Sequence, residues 1–92
     1  MSWSIDLKAN RKISPRSVGT ALRKMQVIDD VSVPNEFGWT CAVDVSLPRG
    51  RVLTLSGAGF SAGDAEEFAA ELASALRALR YKITIGKITS WG

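Results

Sequence analysis

Histidine is absent from the chain. That removes the side chain most often used as a general base and the commonest metal ligand. Cysteine occurs once, at Cys41, which excludes an internal disulfide and any Cys-x-x-Cys pair. No apolar stretch approaches the roughly 20 residues that span a bilayer. The opening residues, Met1 to Asp6, lack the basic and apolar sections of a secretion signal. These absences lead us to expect a cytoplasmic protein that enters no membrane and carries no metal or other cofactor.

What remains is ordinary globular composition: 92 residues, 46% apolar and 23% charged, with a net charge of +3. That length predicts one domain over residues 1–92, large enough to bury roughly two-thirds of its unfolded surface.

Two hydrophobic periods alternate along the chain. Residues 3–9 alternate apolar and polar, which predicts a half-buried strand with Trp3, Ile5 and Leu7 inward. The basic loop Asn10-Arg11-Lys12-Ile13 leads to Ser14-Pro15, an N-cap serine followed by a first-turn proline. Val18, Ala21, Leu22 and Met25 then recur at helical spacing, and the helix is expected to end near Val27. Asp29 and Asp30 open a loop that runs to Gly38. Residues 39–47 alternate again, with Trp39, Cys41, Val43, Val45 and Leu47 on one phase, and read as a single strand. Pro48-Arg49-Gly50 is a turn, and residues 51–56 form the return strand with Leu53 and Leu55 inward. Gly57-Ala58-Gly59-Phe60 reads as a glycine-rich exit. A second helix, capped at Ser61 or Asp64, carries Ala65, Phe68, Ala69, Leu72, Leu76 and Leu79 as its apolar stripe and runs to about Arg80. The last strand spans Tyr81 to about Ser90. Ile83 and Ile85 set its phase, and Gly86-Lys87 marks a bulge because Ile88 breaks the alternation.

The order strand-helix-strand-strand-helix-strand predicts an α+β fold of the ferredoxin-like kind. A four-stranded antiparallel sheet in strand order 4-1-3-2 would carry both helices on one face, with right-handed crossovers. Many unrelated functions share that architecture. The first loop has neither the cysteine pair of a metal-chaperone domain nor the glycine-rich cradle of an acylphosphatase. The expected outer sheet face (Ser4, Asp6, Thr40, Asp44, Ser46, Val52, Thr54, Lys82 and Thr84) has no aromatic residue on which a base could stack.

No catalytic constellation stands out, so the chain is read as a non-enzyme. The run Gly57 to Gly63 misses the dinucleotide fingerprint, and the helix after it opens with Asp64, Glu66 and Glu67, which would repel a phosphate. Asp29-Asp30 reads as a solvated loop, and Cys41 as a buried thiol.

Charge polarity is the feature above background. The expected topology places three connections at one end of the domain: the first loop, the hairpin turn, and the junction from the second helix to the last strand. They gather Lys8, Arg11, Lys12, Arg16, Arg49, Arg51, Arg77, Arg80 and Lys82, nine of the twelve basic residues. Helix-dipole complementarity accounts for Arg77 and Arg80 but not for the others. Asp29, Asp30, Glu36, Asp64, Glu66 and Glu67 fall at the opposite end. Trp3, Phe37, Trp39, Phe60 and Trp91 fall there too, which reads as closure of the core or as an aromatic protein-binding patch centred on Trp39 and Trp91.

Two functions follow as expectations. The first is a protein-binding, regulatory or accessory module, a class that includes phage-type inhibitors of a host complex. The alternative is binding of nucleic acid or another polyanion through the basic end. A homodimer through an edge strand or the outer sheet face is compatible with the first.

Overall fold

A computed structural model describes residues 2–25, 39–40, 44–46, 48–58 and 62–91. Its elements are β1 (Ser2–Ala9), α1 (Pro15–Lys24), β2 (Trp39–Thr40), β3 (Asp44–Val45), β4 (Val52–Ala58), α2 (Ala62–Ala78), β5 (Ile83–Ile85) and β6 (Thr89–Trp91). They build a small α+β fold, an antiparallel open sheet of six strands with two helices. The sheet order is β2-β3-β4-β1-β5, with β6 pairing the other half of β1. β5 and β6 therefore share one edge, and the two-residue β2 lies at the opposite edge.

β1 is central because its alternation gives it one apolar face along its whole length. Trp3, Ile5 and Leu7 are buried, while Asp6 and Lys8 are exposed. Its antiparallel register with β4 sets Ile5 opposite Leu55 and Leu7 opposite Leu53. Direct cross-strand partners share a face, so these four side chains form one apolar surface. Both helices cover it: Val18, Ala21 and Leu22 of α1, and Ala65, Phe68, Ala69, Leu72 and Leu76 of α2, join the strand residues in a single buried cluster. Burying a side chain of Leu or Ile size contributes about 1.5–3 kcal/mol. The other sheet face is polar and open, and on it Thr54 Oγ1 donates to Asp6 Oδ1 at 2.7 Å.

α1 begins as its sequence dictates. Ser14 is the N-cap, its Oγ accepting the Ser17 N–H at 3.1 Å, and Pro15 occupies the first turn. α2 stops without a glycine. Arg80 N–H donates to the Arg77 carbonyl at 2.9 Å and Tyr81 N–H to the Leu76 carbonyl at 3.3 Å, which is the Schellman pattern. Arg80 takes the left-handed position with φ 72°. An L-residue held there costs about 1–2 kcal/mol relative to its right-handed basin.

Four expectations need correction. Residues 39–47 are not one strand. Trp39 pairs with Val45 and Thr40 with Asp44, so the chain reverses between them. A reversal about position 42 leaves the odd-even phase unchanged, and a period-two pattern cannot register it. Gly57 and Ala58 do not leave the sheet; they continue β4 opposite Trp3 and Ser2. A Cβ on Gly57 would meet Trp3 Cζ2 at 3.0 Å, so this glycine makes room for a buried indole rather than a loop. Ile85 does not reach the core. It lies on the edge strand opposite Leu7, with 36% of its surface open. α2 ends at Ala78, with Leu79 and Arg80 in the turn that follows.

The bulge stands where the sequence placed it. β5 pairs with β1 through Leu7↔Ile85, whereas β6 pairs through Ser4↔Thr89, so the edge chain carries one extra residue between them. Gly86 N–H donates to the Asp6 carbonyl at 2.7 Å, and a Cβ on Gly86 would lie 2.8 Å from that same oxygen. Cys41, Asp29, Asp30 and the expected end of α1 near Val27 lie outside the described residues.

Candidate functional site

The basic end is built by backbone hydrogen bonds that tie together three distant connections. Ala9 N–H donates to the Arg51 carbonyl at 2.8 Å, and Ile13 N–H to the Gly50 carbonyl at 2.8 Å, joining the first loop to the β3–β4 turn. On the other side Asn10 N–H donates to the Lys82 carbonyl at 3.1 Å, and Asn10 Oδ1 accepts the Lys82 N–H at 2.9 Å. The first loop is thus clamped between the turn and the α2–β5 junction. Gly50, at φ 60°, supplies the left-handed residue that the turn requires.

Tyr81 is the pivot of this end. Its hydroxyl donates to Ser17 Oγ at 2.9 Å and accepts the Ser14 N–H at 3.3 Å, linking the junction to the start of α1. The Arg11 guanidinium lies 3.9 Å from the ring centroid and donates to the Leu79 carbonyl at 3.2 Å. Such a cation–π contact contributes about 0.5–1 kcal/mol at an exposed site. Burial pushes the Tyr81 phenol up. The hydrogen bonds with Ser17 and Ser14 and the Arg11 charge outweigh it and hold the phenol below its ordinary value.

Lys8, Arg11, Lys12, Arg16, Arg49, Arg51, Arg77, Arg80 and Lys82 are all exposed, and all lie on or beside these three connections. Among the described residues none of them forms an ion pair. Two are held by the fold: Arg11, as above, and Arg77, which donates to the Ile83 carbonyl at 2.8 Å. The side chains of the other seven make no hydrogen bond or ring contact among the described residues. That division between held and unengaged cations was not legible in the sequence. Neither was the role of Tyr81, which no motif marks.

The aromatic patch is a different matter. Trp3 belongs to the core, 1% exposed. Phe37 and Phe60 lie outside the described residues, and so do the side chains of Trp39 and Trp91. Of the acidic end, Glu66 and Glu67 are exposed on α2, whereas Glu36 and the side chain of Asp64 lie outside the described residues. Of the expected polar face, Asp6, Lys82 and Thr84 are exposed, Ser4, Ser46, Val52 and Thr54 are half-buried, and the side chains of Thr40 and Asp44 lie outside the described residues. No described helix is long and apolar enough to cross a membrane.

The chain matches no protein-family model, no curated protein and no solved structure.

Proposed function

We propose that the protein is a non-enzymatic binding module that docks an acidic surface of a partner protein on its basic end. The observation that carries this reading is the set of seven exposed cationic side chains with no partner among the described residues, on or beside connections that backbone hydrogen bonds hold in place. A cluster of like charges raises the rate of encounter with an opposite surface, and a backbone already held in place loses less entropy on docking. A carboxylate surface is favoured over nucleic acid because Tyr81, the aromatic at this end among the described residues, is 4% exposed and already covered by Arg11, so its ring is not open to stack on a base. We read the sheet as the ferredoxin-like arrangement, order 4-1-3-2, with β5 and β6 sharing the first position, β3 in the last, and β2 as a short extra edge strand beyond it. The antiparallel pairing of β1 with both β4 and β5 supports this.

Fluorescence anisotropy with labelled poly-L-glutamate, single-stranded DNA, duplex DNA and RNA tests the function, at about 50 and 200 mM salt. The expected result is salt-sensitive binding of polyglutamate that is abolished by joint reversal of Lys12, Arg49 and Arg51 to glutamate. Tighter binding of any nucleic acid than of polyglutamate would move the assignment to a nucleic-acid binder.

A further inference from the structure

We propose that Arg80 is a primary contact for a carboxylate of the acidic partner, a role that rests on the docking function above. Arg80 is the one non-glycine residue at positive φ among the described residues. It fills the position after α2 at which glycine is the default, because the left-handed backbone crowds a Cβ. The chain uses glycine for the same purpose at Gly50, with φ 60°. An arginine at position 80 therefore opposes the local backbone preference.

The Schellman bonds account for a left-handed residue at position 80, but they are backbone bonds that glycine would make equally well, so they do not account for an arginine there. The Arg80 side chain is exposed and makes no hydrogen bond, ion pair or ring contact among the described residues. Its neighbours in the same turn differ: Arg77 is held by the Ile83 carbonyl and Arg11 by the Leu79 carbonyl and the Tyr81 ring. The α2 dipole favours a cation near this end, but Arg77 already sits in the last turn, and that attraction does not call for the left-handed position. An arginine at a left-handed position whose side chain touches nothing among the described residues is the observation from which the external contact is inferred.

The surroundings make the placement firm. Leu79 accepts from Arg11, Tyr81 is bonded to Ser14 and Ser17, and Lys82 is bonded through both its N–H and its carbonyl to Asn10. The backbone on both sides of Arg80 is therefore anchored, and its guanidinium springs from a fixed point beside Lys82.

The test compares three full-length variants by thermal melting and by anisotropy with labelled poly-L-glutamate at low salt. Arg80→Gly relieves the strain and removes the charge. It is expected to melt at or above the wild-type temperature while binding at least fivefold more weakly. Lys24→Gln, which removes an exposed charge at the end of α1, is expected to change binding by less than twofold. Wild-type affinity in Arg80→Gly, alongside loss of binding in the Lys12, Arg49 and Arg51 reversal, would overturn the role of Arg80 and leave the basic end standing. No loss in that reversal, or no binding by the wild type, would overturn the docking function and this role with it.

Discussion

Gly86→Ala probes the sheet edge at its tightest point. The added Cβ would sit 2.8 Å from the Asp6 carbonyl oxygen, which is backbone and cannot swing aside. The shortest ordinary carbon–oxygen approach is about 3.3 Å, so the two chains must open by about 0.5 Å. The Gly86 N–H···O bond to the same oxygen is now 2.7 Å. The opening would carry it to about 3.2 Å, the long limit for such a bond. Forcing an extra methyl into a packed site costs about 1–3 kcal/mol. The stiffer unfolded chain returns about 0.4–1 kcal/mol. The net expectation is about 1–2 kcal/mol of destabilisation, which for a domain of this size lowers Tm by about 5–15 °C. Thermal melting by circular dichroism reads this directly, with urea unfolding as a second measure. Gly50→Ala is the control. A Cβ there meets nothing within 4 Å, so only its positive φ opposes the change, at about 1–2 kcal/mol. A Gly86→Ala protein that melts within 2 °C of the wild type would refute the close approach and the bulge built on it.

Ser14→Ala removes the acceptor for the Ser17 N–H and is expected to destabilise by about 1 kcal/mol, with Ser14→Asn recovering most of it. Urea midpoints for the pair check this, and equal values for Ser14→Ala and wild type would remove Ser14 as the cap. Tyr81 is the only tyrosine, so tyrosinate absorbance titrates it alone, and the midpoint is expected below the usual value near 10. Because the phenol ionises more readily folded than unfolded, wild-type stability relative to Tyr81→Phe should rise as pH climbs from the lowered folded value to the ordinary one. That increment is lost as pH falls back through the folded value. Parallel melts of the two proteins across this interval measure it, and a midpoint at or above 10 would contradict the hydroxyl network.

The parts legible in the sequence are those where a local pattern and the tertiary structure ask for the same thing. The alternation of residues 3–9 is legible because one strand face is buried and the other open. Ser14-Pro15 is legible because capping is local chemistry. The α2 stripe from Ala65 to Leu76 follows helical spacing, and Ile88 betrays the bulge at Gly86-Lys87 by breaking the phase. The misses share a cause as well. The reversal between Thr40 and Asp44 preserves the odd-even phase, so it leaves no trace in the pattern. Gly57 resembles a loop glycine because the indole that needs its missing side chain is 54 residues away in sequence, at Trp3. The clustering of basic residues could be read from topology. Which of them are engaged could not, because Arg11 finds Tyr81 and Leu79 only after the fold closes.

The clamp on the first loop also bears on when this surface comes into being. Its bonds to the α2–β5 junction join residues 67 to 72 positions apart, as in Ser14 to Tyr81 and Lys82 to Asn10. β1 likewise finds both of its neighbours far downstream, in β4 and in β5 and β6. Pairings at such separation close late and slowly. During synthesis β1 emerges before every strand it pairs with, and the first loop can be tied to the β3–β4 turn but not to the α2–β5 junction until Lys82 has emerged. The display of charge is therefore complete only once that junction has closed on the loop. A nascent or truncated chain that ends before the last strand would carry most of the same residues and lack the complete surface.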